Sequence, residues 1–362
     1  MTSRRERGFS FIEVLIALTI LLTALATLLQ VAASGQRLAR SQSEASDLHQ
    51  RARVAAETLH RDLGRAGAGA ARGPLSIGLT AYFAPIVPAR TGARLPDPPL
   101  SAFADRISIV YVAEQAWPST LGVSVTGADP VFVDAGSPGC PAAGLCGFQE
   151  GTRALLLDAA GVGAGHDLFT VTGIAGALAH DAPNPPFASS YEAGRAIVLP
   201  VVQRIYYLDR ANRRLMVYDA FQGDMPLIDN VVDVRFEYFA DSLPSSVARP
   251  AEGTGSCVYD AGPPPVALLE DLGGGGLRPL SLSQLTDGPV CGVGAGAFDG
   301  DLLRIRLVRA TLRLQAAADD VRGSGVLFAR PGRSSSGDSY VPDYEITFDV
   351  APRNMTPVVL PR

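Results

Sequence analysis

The sequence predicts an α+β fold in which a long N-terminal α-helix, first transmembrane and then amphipathic, packs on an antiparallel β-rich head. Three observations predict it. An apolar run extends from Phe9 to Ala33, a helical stripe of apolar residues continues to Leu63, and segments rich in β-branched and aromatic residues dominate residues 101–362. With 47% hydrophobic and 19% charged residues, the 362-residue chain can bury a core.

The first predicted element is a helix over residues 9–66, with 9–33 as its transmembrane part. At about 1.5 Å per residue, Phe9 to Ala33 extends about 37 Å, enough to cross a bilayer with tilt. Further along, apolar residues recur at helical spacing and form one stripe that we expect to face the head. The stripe comprises Leu38, Ala45, Leu48, Ala52, Ala55, Leu59 and Leu63. The glycines from Gly64 to Gly69 then end the helix.

Residues 67–100 are rich in proline and glycine and are predicted to be irregular. The head follows over 101–362, with Gly/Pro-rich loop insertions at 134–151 and 242–300. Its candidate strands are Arg106–Val112, Leu121–Thr126, Arg153–Leu157, Asp167–Gly173, Ala196–Leu208, Arg214–Tyr218, Val231–Phe239, Leu302–Leu314 and Tyr344–Val350.

Two of these segments carry more detailed predictions. Tyr206–Tyr218 is typical of a hairpin whose turn contains Asp209 and Asn212. In Leu302–Leu314, alternation puts Arg304 and Arg306 on one face, with Leu303, Ile305 and Leu307 on the other, which indicates a sheet with one solvated face.

Four cysteines lie in the two insertions, and we expect the local disulfides Cys140–Cys146 and Cys257–Cys291. Four cysteines allow three pairings, so the connectivity stays open at this point. A zinc site is the weaker interpretation, since five residues separate Cys140 from Cys146 and no histidine lies near either pair.

The start of the chain combines a basic leader with a charge in the apolar run. Arg4, Arg5 and Arg7 precede Gly8, and Glu13 lies five residues into the apolar segment. An ionised carboxylate in hydrocarbon costs at least about 2.5 kcal/mol, so Glu13 needs a partner or a task. A secretory signal peptide cleaved near Ala33, a twin-arginine signal and a plain anchor are the alternatives. The apolar run is too long for a signal peptide, which also has no use for Glu13, and Glu6-Arg7-Gly8 replaces the apolar residues that follow the arginine pair in a twin-arginine signal.

The segment from Gly8 to Glu13, Gly-Phe-Ser-Phe-Ile-Glu, resembles the type III signal of type IV pilins and type II secretion pseudopilins. The resemblance implies that residues 1–8 are a cytoplasmic leader and that prepilin peptidase cuts between Gly8 and Phe9. It also implies that the new amino group of Phe9 is methylated and that Glu13 registers the subunit in the filament. Before assembly, the protein would be anchored in the inner membrane with its head in the periplasm. Its partners in the filament would be other major and minor pilins or pseudopilins, contacted through the helix.

Weaker motifs inside the head are similar to PilW-type minor pilins. They are Gly165–Thr172, Ile205–Asp209, Pro226–Tyr238 and Asp349–Met355. This resemblance implies a minor subunit in pilus initiation or at the tip. Two of the motifs are also similar to the J-type minor pseudopilin of type II secretion, and a filament-displayed adhesin or DNA-capture subunit is a further alternative.

No constellation for catalysis is recognisable, so we predict a non-enzyme without a cofactor. The glycine-rich Gly161–Gly165 precedes a strand rather than a helix, which does not suit a phosphate site. His166 and Asp167 lack a serine elbow, and Asp299 and Asp301 lack EF-hand spacing, so a calcium site is not predicted there. His49 and His60 should face solvent. A net charge of −5 argues against a nucleic-acid partner.

Overall fold

The computed structural model of the chain describes residues 10–69, 78–92, 95–112, 117–134, 136–137, 140, 145–159, 165–180, 187–219, 223–240, 276–335 and 337–355. Gly8 and Phe9, the two predicted processing residues, lie outside the described residues. So does Cys257, together with most of the predicted insertion 242–300.

One helix, α1, covers Phe11–Arg65 without interruption. Gly67 follows with a φ of 77°, a conformation that glycine adopts easily and that commonly ends helices. The predicted stripe is buried from Leu48 to Leu63, where no member is more than 2% exposed. Leu38 is 52% exposed, so its place in the buried stripe was predicted wrongly. The reason is that burial of the helix begins at Ser41, beyond Leu38.

Fifteen strands are found in the described part of the chain. In chain order they are β1 (Ile86–Val87), β2 (Arg106–Val112), β3 (Ser119–Thr120), β4 (Arg153–Asp158), β5 (His166–Ile174), β6 (Leu178–His180), β7 (Ala196–Asp209), β8 (Arg214–Tyr218), β9 (Asp224–Asp229), β10 (Val231–Ala240), β11 (Arg278–Leu280), β12 (Val290–Cys291), β13 (Phe298–Asp299), β14 (Ile305–Leu314) and β15 (Tyr344–Val350). Together with α1, they confirm the predicted α+β class.

The largest sheet is built around β7, a 14-residue strand. Its order is β1-β2-β7-β4-β5-β6, and β3, β8 and β9 extend it. One part of β7 pairs antiparallel with β2 and another with β4, because the strand is long enough to pair with both along its length. β7 and β8 form the predicted hairpin, and the carboxylate of Asp209 accepts the backbone N–H groups of Ala211 and Asn212 in its turn.

A second, four-stranded sheet has the order β11-β10-β14-β15. It corrects the prediction for Leu302–Leu314, because Gly300–Arg304 is a 3-10 turn and the strand begins only at Ile305. A register shift opposite Phe239 and Ala240 then moves burial to the even-numbered residues, starting with Val308. Leu307 is therefore only half-buried, and Arg304 and Arg306 do not share a strand face.

The predicted strand Leu121–Thr126 is also corrected. It makes two isolated bridges, Leu121 with Val133 and Val125 with Tyr191. Its backbone donates to residues on different neighbours at its two ends, so no continuous ladder forms. The segment predicted to be irregular, 67–100, holds a 3-10 turn and the short strand β1, and Leu79 and Ile86 within it are fully buried.

The chain forms two compact units. The first consists of residues 1–50 and 315–344, and the second of 51–314 and 345–362. Within the first, the carboxylate of Glu44 accepts the N–H of Ala317 at 2.9 Å, and Arg40 lies 3.3 Å from Asp320. The second contains the last four turns of α1, whose Leu59 is fully buried, together with nearly all of the strands.

Candidate functional site

The first turn of α1 places Glu13 over the start of the helix. Ser10 precedes the helix, and its backbone N–H donates to Oε2 of Glu13 at 3.2 Å, while the N–H of Glu13 donates to the carbonyl of Ser10 at 3.0 Å. The Glu13 side chain thus caps a free backbone donor at the positive end of the helix dipole. The Ser-x-x-Glu spacing, typical of a capping box, is the signal by which Ser10 could have been found in the sequence.

The helix on both sides of Glu13 exposes a continuous apolar surface. Phe11 is 83% exposed, Leu21 64% and Val31 69%, and the remaining large aliphatic side chains between them are at least 47% exposed. An 18-residue window of α1 has a mean hydropathy of 2.5, and none of it is buried. Length and composition therefore suit a membrane span, and water alone would be a poor environment for this surface.

The polar groups in this apolar stretch are largely satisfied within the helix itself. The hydroxyls of Thr19, Thr23 and Thr27 donate to carbonyls three or four residues earlier, at 2.8 to 3.0 Å. Such back-bonding removes unsatisfied donors from a lipid-facing surface. Glu13 differs from these residues because it is the one ionisable side chain among the described residues before Arg37.

The insertion 134–151 contains a disulfide between Cys140 and Cys146. Cys291, in β12, is also disulfide-bonded, and its predicted partner Cys257 lies outside the described residues, so that pairing stays a prediction. Asp299, which pairs with Val290 between β12 and β13, accepts hydrogen bonds from the N–H groups of Gly288 and Asp301. No group of three potential metal ligands occurs in the described parts of the chain.

His166 and Asp167 do not form a catalytic pair, because they lie next to each other on β5 and their side chains have different partners. The His166 ring stacks on Phe83, with 4.7 Å between centroids, and lies 5.8 Å from the ring of Phe298. Burial lowers the pKa of His166 to about 4. Asp167 accepts the hydroxyl proton of Tyr191 at 2.7 Å, and burial raises the pKa of its carboxyl.

The remaining histidines and glycines have structural surroundings too. His49 and His60 are exposed on α1, as predicted, and the His49 ring packs edge-on against Tyr344. Gly165 has a φ of 106° and leads directly into β5, so no helix N-terminus is available behind the glycine-rich loop to hold a phosphate.

Comparison with known families gives one match, and it falls on this N-terminal site. The family model described as "Prokaryotic N-terminal methylation motif" matches residues 3–29. The match supports a type IV pilin-like signal. No curated protein and no solved structure matches the chain. The signal and the exposed apolar helix together suggest membrane anchoring, processing by prepilin peptidase and assembly with other pilins.

Proposed function

We propose that this chain is a minor pilin-like structural subunit of type IV pilus assembly, acting in the initiating or tip complex. The observation that carries the proposal is the exposed apolar part of α1, most of which lies within the residues matched by the methylation motif. A soluble protein would bury such a surface. A filament subunit uses it first to lie in the lipid bilayer and then to pack against the helices of other subunits.

The chain would enter the inner membrane with its arginine-rich leader in the cytoplasm and its head in the periplasm. Prepilin peptidase would cut between Gly8 and Phe9, and the new amino group would be methylated. The transmembrane part of α1 would then leave the lipid and pack against neighbouring helices. In the same step, the carboxylate of Glu13 would form an ion pair with a cation. The simplest cation is the amino group of Phe9 on a neighbouring subunit.

A structural role also agrees with the surroundings of the titratable groups. The pilin-type methylation motif belongs to a structural class of proteins. The His166 ring stacks on Phe83 and lies near Phe298, and Asp167 is hydrogen-bonded by Tyr191, so both side chains have structural partners. The J-type minor pseudopilin of type II secretion stays as the alternative, with the same processing and the same use of the helix.

Mass spectrometry of the protein from membranes and from sheared filaments tests the proposal. We expect an N-terminus at Phe9 carrying one methyl group, and the same species in the filament fraction of a pilus-producing cell. An N-terminus at Ala33 or Ser34 would instead identify a secretory signal peptide and overturn the proposal. Recovery in a pseudopilus but not in a pilus would select the J-type role.

A further inference from the structure

Beyond Glu13, the polar residues of the apolar stretch are confined to one side of α1. Successive members are separated by four, four, three and four residues. With about 100° per residue, all of them fall within an arc of about 80°. We call this surface the threonine face, and it comprises Thr19, Thr23, Thr27, Gln30 and Ser34.

The opposite side of the same helix is purely aliphatic. Its residues lie about 180–260° around the helix from Thr19. We call this surface the leucine face, and it comprises Leu18, Leu21, Leu25, Leu28 and Ala32. A helix surrounded evenly by lipid has no need for such an asymmetry, because hydrocarbon presents the same environment to every side.

The threonine face can lie in lipid before any partner arrives. Its threonine hydroxyls and that of Ser34 donate to carbonyls of their own helix, Ser34 to Val31 at 2.9 Å. The side-chain amide of Gln30 makes no hydrogen bond to the described residues. An amide near the membrane boundary gains from a polar partner, and the short hydroxylated side chains allow a second helix to approach closely.

Toward the C-terminal end of α1, the same side of the helix packs against other residues of the chain. Ser41 and Leu48 lie about 20–40° from the direction of Thr19 and are 7% and 2% exposed. Within the first compact unit, they and Ala45 line a cavity with residues 340–344. From Ser41 onward, this side of α1 is covered by other residues of the chain. The threonine face continues the same side toward the N-terminus, and no described residue covers it.

We propose that the threonine face is the side of α1 that packs against the apolar helix of a neighbouring pilin-like subunit. This rests on the proposed function and adds which side of the helix carries the contact. The chemistry fits a helix with small or hydroxylated residues opposite Thr23 and a hydrogen-bonding side chain opposite Gln30. The leucine face would then lie outside this helix–helix contact.

Site-specific photocrosslinking in the full-length protein tests the assignment. A benzophenone amino acid replaces Thr23 in one variant and Leu25, the matched position on the leucine face, in another. At equal levels of processed protein, we expect at least several-fold more adducts with other pilin-like subunits from position 23. Equal yields, or a higher yield from position 25, would overturn the assignment while leaving the proposed function intact. Absence of such adducts from both positions would contradict the proposed function as well.

A pair of conservative double variants provides a second measurement. Thr23→Val with Thr27→Val removes two hydroxyls at nearly constant volume, and Leu21→Val with Leu25→Val is the control on the leucine face. We expect the threonine variant to lower the amount of subunit in sheared filaments several-fold at equal membrane level, and the leucine variant to change it little. The reverse order would overturn the proposal.

Discussion

The hydroxyl of Tyr206 donates a 2.6 Å hydrogen bond to Oδ2 of Asp62, which joins the C-terminal part of β7 to the last turn of α1 across 144 positions of sequence. Asp62 is only 4% exposed, and its cationic neighbours are farther away than this hydroxyl, Arg61 at 3.5 Å and Arg204 at 4.0 Å. Burial, followed by the negative charge of Asp62, raises the pKa of Tyr206. The phenol therefore stays a donor at every physiological pH.

Tyr206→Phe should lower the free energy of unfolding by about 1–3 kcal/mol, because it leaves a buried carboxylate without its shortest hydrogen bond. Urea unfolding of the detergent-solubilised protein, followed by the fluorescence of Trp117, measures the change. The matched control is Tyr238→Phe, since the buried hydroxyl of Tyr238 has no hydrogen-bond partner among the described residues. The control should be neutral or stabilising, and equal losses in both variants would contradict the role given to Asp62.

Neither residue could have been paired from the sequence. Asp62 looks like one more polar residue of an amphipathic helix, and Tyr206 like the start of a hairpin. The hairpin itself was predictable, because Asp209 and Asn212 build its turn from local contacts. The burial of Leu48 to Leu63 was predictable for a similar reason, as helical periodicity depends only on nearby residues.

The errors arise where distant neighbours decide the structure. Leu121–Thr126 has the composition of a strand, yet its two ends bond to different segments. In β14, the register shift reverses which residues are buried, and Arg306 turns back to donate to the carbonyls of Leu303 and Met355. Alternation in a sequence cannot reveal such a shift, because it depends on the partner strand.

His166 predicts a pH dependence of stability. Its pKa of about 4 in the folded protein lies below the usual value of 6.5, so the unfolded chain binds the proton more readily. Stability should therefore be unaffected above about pH 7 and fall as the pH drops from about 6.5 toward 4, by at most about 3–4 kcal/mol. Unfolding at a series of pH values measures this slope.

His166→Phe should flatten the slope between about pH 6.5 and 4, because a phenyl ring keeps the contacts with Phe83 and Phe298 and cannot be protonated. His60→Gln, at an exposed position of α1, is the control and should leave the slope unchanged. A parent-like slope in His166→Phe would show that other groups cause the pH dependence.

The Cys140–Cys146 disulfide holds a residue with unfavourable backbone geometry. Cys146 has a φ of 52°, in the left-handed region that favours glycine. Cys140→Ser with Cys146→Ala should cost about 2 kcal/mol, because the short closed loop is released. Cys140→Ser with Cys146→Gly should recover about 1 kcal/mol of that loss.

Trp117 is well suited to follow these disulfide variants, because it lies beside Gly147, next to the bridge. Non-reducing peptide mapping of the parent should link Cys140 to Cys146 and Cys257 to Cys291. Peptides that link the two insertions to each other would contradict this connectivity.

The last prediction separates the two roles that Glu13 can have. Its carboxylate accepts the N–H of Ser10, which is a local contact that caps the helix, and its charge is available to an incoming amino group. Glu13→Gln keeps a side-chain acceptor at this position and removes the charge, whereas Glu13→Leu removes both. Both variants should still be cleaved after Gly8 and inserted, because a lipid-embedded helix loses only an unfavourable charge.

If the charge pairing with Phe9 of a neighbour drives assembly, both should reduce incorporation into sheared filaments about tenfold or more, since a hydrogen bond to a charged group contributes about 1.5–3 kcal/mol. Parent-like assembly of Glu13→Gln beside a defective Glu13→Leu would assign the requirement to the cap instead, and the ion pair between subunits would have to be abandoned.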